Sequence, residues 1–397
     1  ESFFESYLEP VMNYRVVLPD NCDAQTFLPK LRLLEAEDPQ LHVSWNSFLQ
    51  EINVSLMGDI QTEILKGIIA ERFDIDVEID SGRVLYKETI SNTVEGVGHY
   101  EPLRHYAEVH LIIEPLPRGN GIVLQSKCSE DYLDRNWQNL ILAHLSEKEH
   151  LGVLTGSPIT DVKITLAAGR AHLKHTEGGD FRQSTYRAVR QGLMQAKSLL
   201  LEPYYSFRLE VPTEQIGRAI NDIRMKNGSI DSPEDLNGMS VLTGKAPVTT
   251  LNGYASEVAA YTSGKGRLFL EVCGYDVCHN ADEIIENSKY SPESDLDNTP
   301  DSVFCAHGAG FNVKWDKVFE YMHIDSCLEQ EKSPYEVNLN KRNFHIDDKE
   351  LEAIMNREFG EDKHPFYRYS HNKAPAKPVN TEYNTEIRKK YVIVDGY

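Results

Sequence analysis

At 397 residues the chain exceeds what one hydrophobic core ordinarily serves, so three or so domains of ordinary size are expected. Apolar residues make up 40% and charged residues 26%, a globular balance, and no stretch reaches the roughly eighteen apolar residues that a membrane span needs. The formal net charge of −21 excludes a generally basic nucleic-acid binder, but exposed charges are screened over roughly 8–10 Å at physiological salt, so a local basic island acts largely alone.

From Tyr14 the sequence alternates as a strand (Tyr14, Val16, Leu18), and after Asp20-Asn21 a helical segment places Phe27, Leu31 and Leu34 on one face. Strands near 41–45 and 51–56 follow. Ile60, Ile64, Ile68 and Ile69 then recur at helical spacing, and Ile75, Val77 and Ile79 alternate again. Residues 202–275 repeat this order of strand, helix, strand, strand, helix, strand. Tyr205, Phe207, Leu209 and Val211 alternate; Ile216, Ala219, Ile220 and Ile223 share a helical face. Leu251, Tyr254 and Val258 form the second helix, and Leu268, Leu270 and Val272 close the unit. Each unit reads as a split βαβ domain of ferredoxin-like type.

Between them, residues 91–201 carry strands with Val109, Leu111 and Ile113 and with Val162, Ile164 and Leu166. A long helix is expected from about Asp180, with Asp180 and Gln183 as a capping box and Tyr186, Val189, Leu193, Ala196 and Leu200 as one apolar stripe. Residues 276–302 hold eight acidic residues against one lysine, with Pro292 and Pro300, and read as a linker. Asp347-Asp348 precede a short amphipathic helix (Leu351, Ile354, Met355, Phe359) stopped by Gly360, and the proline-bearing stretch 361–380 reads as a second linker. The final residues, Tyr391 to Tyr397, read as the first strand of a following domain with nothing to pair against. With Glu1 in place of Met, this makes the chain an expected portion of a longer protein.

Leu34-Glu35-Ala36-Glu37-Asp38-Pro39-Gln40-Leu41, then Leu56-Met57-Gly58-Asp59-Ile60-Gln61-Thr62-Glu63-Ile64-Leu65, then Tyr86-Lys87-Glu88-Thr89-Ile90 resemble the third domain of elongation factor G in order and spacing. Glu202-Pro203, Asn227-Gly228, Leu251-Asn252-Gly253-Tyr254 and Ser263-Gly264-Lys265-Gly266 resemble its fifth domain. Ile112-Glu114-Pro115-Leu116, Asp180-Phe181-Arg182 and Leu201-Glu202-Pro203 are similar to the tetracycline-resistance ribosomal protection branch of that family. The resemblance implies an α+β chain. Its parts are a ferredoxin-like domain at 10–90, a ribosomal-protein-like α/β tip domain with a left-handed crossover at 91–201, a second ferredoxin-like domain at 202–280, and a partly irregular extension at 281–397.

The resemblance also implies a ribosome-binding portion of a translation GTPase, whose tip enters the decoding region of the small subunit and meets its RNA. Gly169 to Thr176 lies at the tip loop, and Arg104-His105-Tyr106 is a second loop at the same end. Arg170, His172, Lys174, His175, Arg104 and His105 are therefore the expected RNA-binding residues. Protection proteins carry a Ser-Pro-Val run where this chain has Leu173, Lys174 and His175, and Lys cannot reproduce the rigid elbow of Pro. Protection against tetracycline and a general translational role both stay open.

Lys163 to Lys197 holds seven Lys or Arg against Glu177 and Asp180. Arg187, Arg190 and Lys197 among them could equally solvate the helix. No P-loop spacing is present, and no catalytic, cofactor-binding or metal residue is expected. GTP and Mg2+ would belong to domains of the parent that are absent here. Six scattered cysteines fit a reducing cytoplasm. Cys273, Cys278, His279, Cys305 and His307 match no common zinc spacing. Neither membrane nor DNA is an expected partner. The alternative reading is a metal-dependent RNA-processing fragment made by this Cys/His cluster and the tail, since Tyr391 to Tyr397 also resembles the opening strand of NYN-type nuclease domains, with Asp395 as its first acid.

Overall fold

The computed structural model describes residues 11–19, 22–38, 41–46, 51–56, 59–80, 83–236, 238–328 and 391–394. Pro39, Met57-Gly58, the 347–360 helix, the 361–380 linker and Asp395 lie outside them. Two compact units are present, one with Glu1–Tyr86 and Leu201–His279, the other with Lys87–Leu200 and Asn280–Tyr397.

In the first unit, sequence alternation becomes two sheets of the same spatial order. The first runs His42–Asn46, Glu51–Leu56, Met12–Val17, Glu78–Ile79, with Arg83–Val84 also on Met12–Val17. Tyr14, Val16, Ile52 and Val54 point inward with period two and meet Phe27, Leu31 and Leu34 of the Ala24–Glu37 helix. Asp23 caps that helix, accepting the Thr26 N–H at 3.0 Å. The second sheet runs Ser229–Ile230, Met239–Pro247, Ser198–Pro212, Arg267–Val277. Phe207, Leu209 and Val211 pack there on Ala219, Ile223, Leu251, Tyr254 and Val258. In both sheets the first strand sits between the third and fourth, the ferredoxin-like arrangement that two βαβ halves with antiparallel pairing generate.

The second unit is built on a seven-stranded sheet, in the order Ala309–Val313, Ser302–Ala306, Val94–Tyr100, Ala107–Pro115, Val162–Ala171, Ile122–Ser126, Tyr391–Val394. Ile122–Ser126 and Val162–Ala171 are parallel neighbours joined through the Arg135–Ser146 helix, a crossover connection. The Gly178–Gln195 helix lies against Val94–Tyr100 so closely that a Cβ on Gly96 or Gly98 would run into the carbonyl of Ala188 or Ser184. Val109, Leu111, Ile113, Val162, Ile164 and Leu166 face the same way and bury against Phe181, Ala188, Val189 and Leu193.

Three expectations are corrected here. The capping box is Glu177 with Asp180, which accepts the Glu177 N–H at 2.8 Å, and the helix ends at Gln195. Ala196 is its C-cap and Leu200 belongs to the next strand, because the apolar spacing runs on past the last helical turn into Ser198–Pro212. Residues 276–302 are not linker, and together with residues 303–328 they are structured. They supply the Ala281–Ser288 helix and a hairpin that joins the sheet beside Val94–Tyr100, and Phe304, Val313 and Val318 bury against Val97 on the face away from the helix. The acidic residues that suggested a linker are partly spent on local bonds: Asp295 caps Asn298 and accepts from Tyr290. Finally, Tyr391–Val394 does not stand unpaired but runs parallel to Ile122–Gln125. Ile122–Ser126 would otherwise be a sheet edge with open N–H and C=O groups, which is a template for such an addition.

Candidate nucleic-acid interface

The loop after Val162–Ala171 and the loop before Ala107–Pro115 emerge at one end of the second unit's sheet and are bonded into one surface. Thr176 is the hub: its Oγ1 accepts the His172 N–H at 2.7 Å and donates to the Tyr106 carbonyl at 2.6 Å. The Tyr106 N–H donates to the His175 carbonyl at 3.1 Å. Arg104 takes a left-handed backbone with φ +66°, and His105 N–H turns back to the Pro102 carbonyl at 2.9 Å. The loop before the Arg135–Ser146 helix reaches the same end, since Leu133 lies on Gly169.

Within this surface the six expected residues divide by burial. His172 is only 7% exposed, and its Nδ1 accepts the Lys174 N–H at 3.3 Å. Its ring stacks on His175 with centroids 4.7 Å apart. His105 pairs with the buried Asp180 at 2.9 Å. Both therefore shape the loops. Lys174 is exposed and Arg170, Arg104 and His175 are half-buried. Burial, and then electrostatic repulsion from the neighbouring His172, Lys174, Arg104 and His105, pushes the His175 imidazole down to about 4, so it is neutral near pH 7.

Sequence reasoning missed the apolar part of this surface. Leu173 is 94% exposed at the loop apex, Leu103 is 51% exposed in the facing loop and Tyr132 is 82% exposed in the third. Lone leucines and tyrosines give no sequence signal that separates core from tip. The reverse holds for Arg190, which is 3% exposed. Its guanidinium donates to the Leu151 and Gly152 carbonyls at 2.8 and 2.7 Å and to the Tyr290 hydroxyl. Arg187 lies over the Tyr100 ring at 5.1 Å. Only Lys197 of that trio is exposed, so two of the three serve packing rather than solvation.

A second polar constellation lies on the sheet face opposite the helix. Because Gly96 and Gly98 face the helix, Glu95, Val97 and His99 point the other way, as do Glu108 and His110 on the neighbouring strand. They form a buried ladder: His99 lies between Glu101 (3.0 Å) and Glu108 (2.6 Å), and His110 between Glu108 (3.0 Å) and Glu95 (2.7 Å). Burial pushes Glu108 up, but its bonds to His110 and His99 outweigh it and hold the carboxyl well below the usual range. The 323–328 segment covers the ladder. His323 and Ile324 N–H groups donate to Glu108 at 2.7–3.0 Å, and Cys327 and Leu328 N–H groups donate to Glu95 at 2.9 and 3.1 Å.

Of the five Cys and His residues considered for zinc, Cys278 and His279 gather with the buried Glu202, which accepts the His279 N–H at 2.8 Å and faces its Nδ1 at 2.6 Å. Cys305 and His307 belong to the hairpin of the other unit. Among the described residues no helix is long and apolar enough to cross a membrane.

Residues 82–197 match the family model described as elongation factor G, domain IV, and residues 199–284 the one described as elongation factor G C-terminus. The chain is 30% identical over 272 residues to a tetracycline resistance protein, TetP, of Clostridium perfringens, covering 68% of this chain and 42% of that protein. It thus spans less than half the length of this curated relative. A crystal structure of a Thermus thermophilus protein superimposes with a TM-score of 0.56 at 23% identity, over 70% of this chain and 43% of that one, which is a likeness of fold.

Proposed function

Residues 82–197 and 199–284 belong to the elongation factor G-like family of translation factors, and on that premise we propose that the chain is the ribosome-binding portion of such a factor. Its second unit inserts the end bearing Arg104, Arg170 and Lys174 into the decoding region of the small subunit. The observation that carries this reading is the bonding of two loops through Thr176, which brings the segments bearing Arg104, Arg170, Lys174 and the exposed Leu173 to one surface. Basic groups meet phosphates, and an apolar apex can lie against a base face. His172 and His105 hold the loops, and His175 contributes a neutral hydrogen-bonding ring. GTP and Mg2+ belong, on this reading, to domains outside this chain, and the site of action is the cytoplasm. Because the curated relative is named for tetracycline resistance, protection of ribosomes is the first physiological role to test.

Cosedimentation of the chain with small subunits, and with whole ribosomes, across a salt series tests the reading. Binding should weaken as salt rises, with about one log unit of slope per neutralised phosphate. An Arg104→Ala, Arg170→Ala, Lys174→Ala variant with unchanged circular dichroism should bind weakly and with a shallower slope. Binding equal to the unaltered chain would remove the tip from the interface. Absence of binding by the chain and also by the full-length parent with a non-hydrolysable GTP analogue would sink the ribosome assignment.

A further inference from the structure

We propose that the buried histidine–carboxylate ladder is a divalent metal site, suited to zinc, with Glu95, His110 and Cys327 as ligands. The ligand atoms of these three residues lie within 4.8 Å of one another. Imidazole, carboxylate and thiolate together form a borderline-soft donor set, and three protein ligands leave the fourth position of a tetrahedral zinc for water.

The surroundings of His110 follow the arrangement that zinc-bound imidazoles need. Its Nδ1 is 2.7 Å from Glu95, while its Nε2 is 3.0 Å from Glu108. A metal on Nδ1 leaves the proton on Nε2, donated to a carboxylate that fixes both ring orientation and tautomer. Glu108 is itself held by His99 at 2.6 Å and by the His323 and Ile324 N–H groups. The His99, Glu108 and His323 group, whose ligand atoms also lie within 4.8 Å of one another, thus backs the metal-binding triad. The ladder's hydrogen bonding also leaves a place for a cation. Both nitrogens of His110 face carboxylate oxygens, and a metal on Nδ1 would take the place of a proton there. Glu95, Glu101 and Glu108 are buried on one sheet face, so a divalent ion at Glu95 would sit in a strongly anionic surrounding.

Zinc here would join the sheet to the extension. Glu95 and His110 come from adjacent antiparallel strands, whereas Cys327 comes from the segment that lies over them. Binding releases the Cys327 thiol proton and any second imidazole proton to solvent, with no redox change. The site is independent of ribosome binding, and it is distinct from the Glu202, Cys278 and His279 group in the other unit.

The test is elemental analysis of the full chain, free of polyhistidine, after exposure to zinc and gel filtration. About one zinc per chain is expected. Cys327→Ser should lower it at least tenfold; the Cys327 side chain is exposed, so the fold survives, as circular dichroism would verify. Cys278→Ser should leave the zinc content unchanged. Cobalt in place of zinc should give a thiolate charge-transfer band that Cys327→Ser abolishes. Zinc below a tenth of an equivalent, content unchanged in Cys327→Ser, or a cobalt spectrum without the thiolate band would each overturn the proposal.

Discussion

Replacing Glu88 isolates one buried carboxylate that sequence comparison presents only as part of the Tyr86-Lys87-Glu88-Thr89-Ile90 exit. Its side chain accepts the N–H groups of Leu154, Thr155 and Ser157 at 2.9, 2.9 and 3.2 Å and the Thr155 hydroxyl at 3.0 Å. A Cβ on Gly152 would run into the same carboxylate, so the 152–157 turn is wrapped around it. The backbone of Glu88 makes its own bonds to Pro158 and Thr160 at 2.9 and 2.8 Å, and a side-chain substitution leaves them in place. Glu88→Gln keeps one acceptor oxygen, turns charged bonds into neutral ones and points an NH2 at donors, a loss of about 1.5–3 kcal/mol. Glu88→Ala strips the acceptor from three turn N–H groups and should cost about 3–5 kcal/mol. Hydrogen exchange of the 151–158 peptide should accelerate in that order, and a urea transition of the second unit should shift likewise. If both variants exchange and unfold as the unaltered chain does, the turn is held by something other than Glu88.

Glu147 gives a pH signature: burial pushes it up, but bonds from His144, Tyr186 and Arg182 bring it down from 4.5 to about 2. A depressed carboxylate contributes stability above its unfolded pKa that is lost as pH falls through the folded one. Glu147→Gln should therefore cost at most about 3 kcal/mol at pH 7 and converge with the unaltered chain between pH 4.5 and 2, in urea melts across pH. Gly98→Ala should force the Gly178–Gln195 helix off the sheet and cost about 1–3 kcal/mol or more; a melting temperature equal to the unaltered chain would contradict the close approach. In ribosome cosedimentation at pH 7.5, Lys174→Ala should lower the salt slope by about one, whereas His175→Ala should weaken binding without changing it. The sign follows from the neutral ring, which is held down to about 4. Equal slope losses for both would mean that His175 is charged at the interface.

The ferredoxin-like units were legible in the sequence because their cores follow local periods: Tyr14, Val16, Phe27, Leu31 and Leu34 in the first, and Phe207, Leu209, Val211, Ala219 and Ile223 in the second. Family motifs with fixed spacing carried the likeness to elongation factor G, which the matches over 82–197 and 199–284 bear out. What periodicity could not carry is which polar residue turns inward, since Glu95, His99, Glu108 and His110 have the composition of a solvated face and are buried only because residues 302–328 return to cover them. For the same reason the acidic run at 276–302 read as linker: its partners, such as Arg190 for Asp295 at 3.9 Å, lie a hundred residues away. At the tip, sequence placed the basic residues in two loops that the structure bonds together. Tertiary structure decided that His172 is spent on the turn while Leu173 stands at the apex. Exposure belongs to the packing of distant segments, and a one-dimensional pattern records only what neighbours along the chain share.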